Sequence, residues 1–180
     1  MSRTVCLVTA RMASARCPGK ALMELLPGEP LLGVLIQRMR TSRAVDEVAL
    51  ATSTNPENDA IADLGRSLGA RVFRGDEDDV LRRHVDAARE FDADHVVRVT
   101  GDNPLTDVGT MDALVQLHHE SGADYTYVPG EALLMGILGE VISRRALQHS
   151  WDRGEAKHRS ELVTLYIKEH PAEFRIAMHD

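Results

Sequence analysis

Apolar runs alternate with amphipathic stretches along this chain from Val5 to Val128, and that alternation limits the folds open to it more than any other feature. Residues 5–10 are almost continuously apolar, as a parallel strand covered on both faces requires. Leu31, Leu32, Leu35, Ile36 and Met39 recur at helical spacing. Strands are expected at 48–52, 71–73, 95–99 and 125–128. Helices are expected at 58–68, where Gly69 is the stop, at 79–91, and at 110–119, closed by Gly122. Strand and helix in alternation imply right-handed crossovers. The expected fold is a three-layer α/β/α, Rossmann-like arrangement around a mainly parallel sheet. The last third is less regular, with a helix-like "SELVTLYIKEH" and a strand-like "FRIAMH". No repeat or Pro/Gly-rich linker divides the 180 residues, so one domain over 1–180 is expected.

The net charge of -7 argues against a broad nucleic-acid or anionic-membrane surface. No apolar run reaches the ~18–20 residues that span a bilayer, and no signal peptide opens the chain, so a cytoplasmic location is expected. Of the two cysteines, Cys6 lies in the first apolar run and reads as a small buried hydrophobe. Cys17 has no adjacent His or partner Cys, and nothing suggests a disulfide framework.

In open parallel sheets ligands sit at the carboxyl ends of the strands. Two loops follow strand ends in a suggestive way: 11–20, and "TGDNPLTD" after 95–99. The first gathers Arg11, Arg16 and Lys20, with Ser14, Pro18 and Gly19 between them. Lys20 offers a point charge, the arginines bidentate donors, Ser14 a hydroxyl, and Gly19 a close backbone approach. The spacing is neither a Walker A loop nor a dinucleotide GxGxxG turn. Charge alone leaves a phosphate cradle and a solvated surface loop equally open.

The pattern R-x-x-S-x-R-x-P-G-K directly after a first strand resembles the N-terminal signature of the cytidylyltransferases that activate sugar acids as CMP-sugars. It is most similar to the branch named for spore-coat polysaccharide synthesis, whose loop reads "ARMGSTRLPGK". Ala13, Ala15 and Cys17 stand here for Gly, Thr and Leu. "ATSTNPENDAIADL", "VFRGDEDDVLRRHVDAA" and "VVRVTGDNPLTD" continue the likeness in order. The resemblance is dense through Asp107, which divides a nucleotide-binding half, about 1–107, from an acceptor and dimerisation half, about 108–180.

The resemblance implies a CTP-dependent transfer of CMP to a sugar or sugar acid, with Mg²⁺ and release of pyrophosphate, by a homodimer. It places Ala10, Arg11, Met12, Ser14, Arg16, Gly19, Lys20, Arg74, Gly75, Thr100 and Asp102 around the nucleotide. Arg11, Lys20 and Asp102 would be catalytic, and Asp102 would hold the metal; the residue types suit this, because Mg²⁺ prefers one or two carboxylates plus phosphate oxygens. A turn or helix cap is the competing role for Asp102. Asp107 suits an N-cap. The acidic run 75–79 reads as a solvated helix start, His118 and His119 as solvent-exposed, and His84 and His158 lack zinc-ligand spacing.

The departures cluster in the acceptor half. Leu138 stands where relatives carry Asp in "GLDVEVF", while Glu140 is kept; Ser160 and Leu162 replace the Arg and His of "REHVT". The family's late "VDTPEDL"-like segment, which supplies a second metal carboxylate in sugar-acid cytidylyltransferases, is not present before Asp180. That ligand is then absent, lies further on, or is Asp180 itself. These losses motivate an alternative, a catalytically silent nucleotide-binding homologue in polysaccharide assembly. A nucleotide-sugar glycosyltransferase is a third reading, but it usually wants D-x-D, and 102–104 read Asp-Asn-Pro.

Overall fold

The computed structural model describes residues 2–13, 17–129 and 139–179. Ser14, Arg16, Leu138 and Asp180 lie outside the described residues. Seven strands form one sheet in the order β5-β4-β1-β6-β8-β7-β9. They are β1 (Thr4–Thr9), β4 (Glu47–Ser53), β5 (Arg71–Gly75), β6 (His95–Thr100), β7 (Tyr125–Tyr127), β8 (Glu140–Ser143) and β9 (Ile176–Met178). β2 (Glu24–Leu26) and β3 (Glu29–Pro30) form a separate small hairpin. All neighbours in the large sheet pair in parallel except β8, which runs against both β6 and β7.

Among the described residues six α-helices flank the sheet: α1 (Leu31–Met39), α2 (Asp59–Ser67), α3 (Val80–Glu90), α4 (Val108–Ser121), α5 (Arg144–Arg153) and α6 (Leu165–Glu169). The two-residue period of β1 divides the core. Val5 and Leu7 face one cluster with Leu81, Val85, Leu147 and Ile167, and so with α3, α5 and α6. Cys6 and Val8 face the other, with Leu35, Ile36, Ile61 and Leu114 of α1, α2 and α4. A strand sandwiched in this way must be apolar on both sides, which explains the unbroken run at 5–8. Burial pushes the Cys6 thiol up to about 12, which suits a packing role.

Local chemistry sets the helix starts. Asp79 accepts from the Arg82 backbone N–H at 2.8 Å, Asp107 from Thr110 at 2.7 Å, and Ser143 from Ala146 at 3.1 Å. Gly122, at φ 59°, ends α4 in the left-handed conformation that glycine adopts without strain.

The structure differs from the expectations at five points. α5 and β8 arise from a segment with no assigned element, and the hairpin β2/β3 was not anticipated. Only the second half of "SELVTLYIKEH" is helical, as α6. His119 is exposed, but His118 is fully buried. Its Nδ1 meets Thr126 Oγ1 at 2.8 Å and its Nε2 meets His95 Nδ1 at 2.9 Å, partners that only the packing of α4 on β6 and β7 supplies. Finally, the acidic run 75–79 is not uniformly solvated: Asp76 caps the turn toward Asp78 and Asp79, while the Glu77 side chain turns inward. No described helix is long and apolar enough to cross a membrane.

Candidate active site

The parallel register sets the C-terminal ends of β1 and β6 side by side, Thr9 opposite Thr100. The two loops singled out above leave from these ends. Gly101 donates its N–H to the Thr9 carbonyl at 2.7 Å. A Cβ there would lie 2.7 Å from that carbonyl oxygen and 2.8 Å from Ala10 Cβ. Glycine is therefore what lets the carboxylate loop pass tightly over β1. Gly101→Ala is expected to destabilise the fold by about 1–3 kcal/mol through backbone displacement. A urea midpoint equal to wild type would refute this.

The first loop leaves at Arg11 and returns at Gly19, whose N–H donates to the Met12 carbonyl at 3.0 Å; its φ of 73° suits glycine. The return delivers Lys20 into an ion pair with Asp102 across 82 residues of sequence. Burial pushes the Asp102 carboxyl up, but the Lys20 ammonium and the Thr100 hydroxyl outweigh it and hold the carboxyl below its ordinary value. Asp102 is thus an ionised, half-buried carboxylate facing the basic loop. The turn beyond it is closed by Asn103 Nδ2 on Thr100 Oγ1 at 2.6 Å.

Arg11 is shared by two carboxylates, Glu77 at 3.5 Å and Glu161 at 3.2 Å. Its neighbour Ala10 extends the β1 ladder to Ala51. The Met12 N–H is already taken by Asn58 Oδ1 at 2.7 Å. Arg74 and Gly75 sit two strands away, at the end of β5. The Arg74 guanidinium donates to the Ser53 and Asn55 carbonyls, both at 2.9 Å, and pairs with Asp59 at 2.6 Å. It organises the 53–55 turn. A Cβ at Gly75 would lie 2.7 Å from the Phe73 ring, so this edge too is built around a missing side chain.

The structure therefore brings Ala10, Arg11, Gly19, Lys20, Thr100 and Asp102 to the neighbouring C-terminal ends of β1 and β6, with Arg74 and Gly75 at the end of β5. Sequence reasoning missed Asn58, Glu77 and Glu161, whose only signal was membership in the "ND", "GDEDD" and "SELVT" segments. It also missed a second charged group, between β6 and β8. Arg98 of β6 pairs with Glu140 of β8 at 3.0 Å in the antiparallel register, and Lys168 reaches the same carboxylate at 3.0 Å. Tyr125 and Thr164 add hydroxyl donors. Burial raises the Glu140 pKa, yet Arg98 and Lys168 prevail and keep it low. Among the described residues no group of three or more His, Cys, Asp or Glu side chains is arranged to hold a metal by itself.

Residues 5–179 match the family model described as Cytidylyltransferase. The chain belongs to the cytidylyltransferase family. Within that family it is 36% identical over 181 residues to the spore coat polysaccharide biosynthesis protein SpsF of Bacillus subtilis, covering 98% of this chain and 74% of that protein. The cytidylyltransferase structure from Leptospira borgpetersenii superposes with a TM-score of 0.92 at 24% identity, over 99% of this chain and 76% of that one. A CMP:2-keto-3-deoxy-manno-octonic acid synthetase complexed with CTP superposes at 0.78 and 18% identity, over 99% and 89% of the two chains. These likenesses bear out the family that the loop motifs implied and the Rossmann-like nucleotidyltransferase fold.

Proposed function

We propose that this protein transfers the CMP group of CTP to a sugar or sugar acid, with release of pyrophosphate, for a surface polysaccharide or glycoconjugate. The observation that carries the reading is the meeting of Lys20 and Asp102, from two distant loops, beside Arg11 at adjacent strand ends. Family membership, the SpsF relative and the CTP-bound neighbour support the choice of cytidine and of acceptor class.

In this reading an acceptor hydroxyl oxygen attacks the α-phosphorus. The bond to the bridging oxygen breaks, and pyrophosphate leaves with the electron pair. Arg11 and Lys20, joined by Arg16 and Ser14 of the same loop, hold the triphosphate and balance charge building on the departing pyrophosphate. Ala10, Met12 and Gly19 shape the crevice, Arg74 and Gly75 line its base-facing rim, and Thr100 holds Asp102. The Asp102 carboxylate suits Mg²⁺, since it is ionised, partly exposed and faces the phosphate loop, and one carboxylate with phosphate oxygens is a usual Mg²⁺ set. When bound, the ion supplies charge neutralisation at the phosphates. The Arg98–Glu140–Lys168 group lies on the acceptor side. Two copies pair through the acceptor half, and the protein works in the cytoplasm; light scattering tests the pairing.

Pyrophosphate release measured with CTP, UTP, ATP and GTP against a panel of sugar acids, with Mg²⁺, tests the reaction. Turnover selective for CTP is expected. Absence of triphosphate binding sinks it. CTP binding without turnover on any acceptor would favour the silent homologue, a reading motivated by Ser160 and the exposed Leu162 where relatives carry Arg and His.

A further inference from the structure

Asn58 is fully buried at the end of the short turn Pro56–Asn58, directly beneath the basic loop. Its side-chain oxygen accepts the Met12 N–H at 2.7 Å. Its amide nitrogen donates to Ser53 Oγ at 2.7 Å and to Glu77 Oε2 at 3.2 Å. This orientation of the amide is forced, because an N–H faces one end and a carboxylate the other. Glu77 also receives the Ser53 hydroxyl and Asn55 Nδ2, and its other oxygen faces Arg11 at 3.5 Å. One buried amide therefore ties the backbone where the basic loop begins to the carboxylate that holds the loop's first arginine.

We propose that Asn58 and Glu77 are positioning residues of the triphosphate site. Asn58 fixes the Met12 backbone from which the loop departs, and Glu77 fixes the Arg11 guanidinium. The Met12 backbone and the Arg11 cation then keep one placement before any ligand arrives, which is how a site avoids ordering those groups at the moment of reaction. The two carboxylates on Arg11 have different roles. Glu161 is 74% exposed and yields to a phosphate, whereas Glu77, at 16%, stays. The proposal rests on reading the loop as a phosphate holder.

The test uses inorganic tripolyphosphate as probe in calorimetry, alongside CTP turnover, for wild type, Asn58→Asp, Glu77→Ala and the double variant Asn58→Asp/Glu77→Gln. Asn58→Asp sets two carboxylates against each other and pushes Glu77 off Arg11. Its affinity for tripolyphosphate is expected to fall about tenfold, the scale of one lost hydrogen bond to a charged group. Its kcat/KM for CTP is expected to fall about tenfold, carried by the KM for CTP, with the acceptor's KM unchanged. Glu77→Ala is expected to weaken tripolyphosphate binding in the same way. The double variant keeps the acceptor toward Met12, brings back an amide–carboxylate contact between positions 58 and 77, and turns a carbonyl oxygen to Arg11, so it regains most of the affinity. Wild-type affinity in Asn58→Asp would overturn the proposal. So would a double variant that melts like wild type yet binds no better than Asn58→Asp. Wild type that binds tripolyphosphate but neither binds nor turns over CTP sinks the transfer reaction alone; wild type that binds no tripolyphosphate overturns the positioning role.

Discussion

Asp102→Asn is expected to lower Mg²⁺-dependent pyrophosphate release from CTP by about 10³-fold at saturating acceptor, the scale of several kcal/mol of lost charge stabilisation at 1.36 kcal/mol per tenfold. The substitution keeps the shape of the side chain and its contact with Thr100, and removes only the negative charge. The fold is not expected to suffer greatly, because the Lys20 partner is a quarter exposed and hydrates readily when unpaired. Activity that persists at a tenth of wild type would place the metal elsewhere. The pH dependence adds a second check. Since Lys20 and Thr100 hold the Asp102 carboxyl below its ordinary value of ~3.9, it stays ionised as pH falls from 8 to 5. Response to Mg²⁺ over that window is therefore expected to show no titration from this group.

The second large effect concerns stability in acid. His84 and His118 are both fully buried, and burial drives each pKa down to about 3. Arg98 and Arg83 add to the effect at His84, opposed by Glu140 and the Val80 carbonyl; His95 and His119 add to it at His118, opposed by Asp124. In the unfolded chain each titrates near ~6.5. Below that pH the unfolded state binds more protons, so stability is fully present above about 6.5 and falls as pH drops toward the folded values. Each group contributes about 1.4 kcal/mol per pH unit at full slope, so the pair removes roughly 5 kcal/mol between pH 6 and 4. That is a large share of the ~5–15 kcal/mol typical of a domain. His118→Gln is expected to lower stability at pH 7 and to halve this acid slope. Urea midpoints at half-unit pH steps measure it, and an unchanged slope in the variant would refute the assignment.

What could be read in the sequence was what local physics decides. The apolar run at 5–10, the helical repeats and the cap at Asp107 depend on near neighbours in sequence, and the structure has them where expected. The basic loop and Gly101-Asp102 were legible because each follows a buried strand. The rest depends on distant partners. Asn58, Glu77 and Glu161 look like ordinary polar residues until β1, β4 and β5 align and the 160s fold back over Arg11. α5 was invisible because only Ala146, Leu147 and Ser150 of its ten residues are buried, too few to stand out as an apolar stripe. Glu140 looks misplaced in a strand until Arg98 is seen opposite it. His118 looked exposed because nothing nearby announces the Thr126 hydroxyl that receives it.

The reversed strand β8 has a consequence for how this protein can be divided. It fills the slot between β6 and β7, and in the finished sheet β7 touches only β8 and β9, both later in the chain. During synthesis β6 therefore waits with an open edge, and β7, though α4 can already pack on it, has no neighbouring strand among the described residues until Ser143 has emerged. A gene fragment cut after Asp107 would leave that edge bare and the Arg98 guanidinium without its carboxylate. The part of the chain that carries Lys20 and Asp102 is thus not expected to be a portable module, and recombination that separates it from β8 is expected to yield aggregating chains.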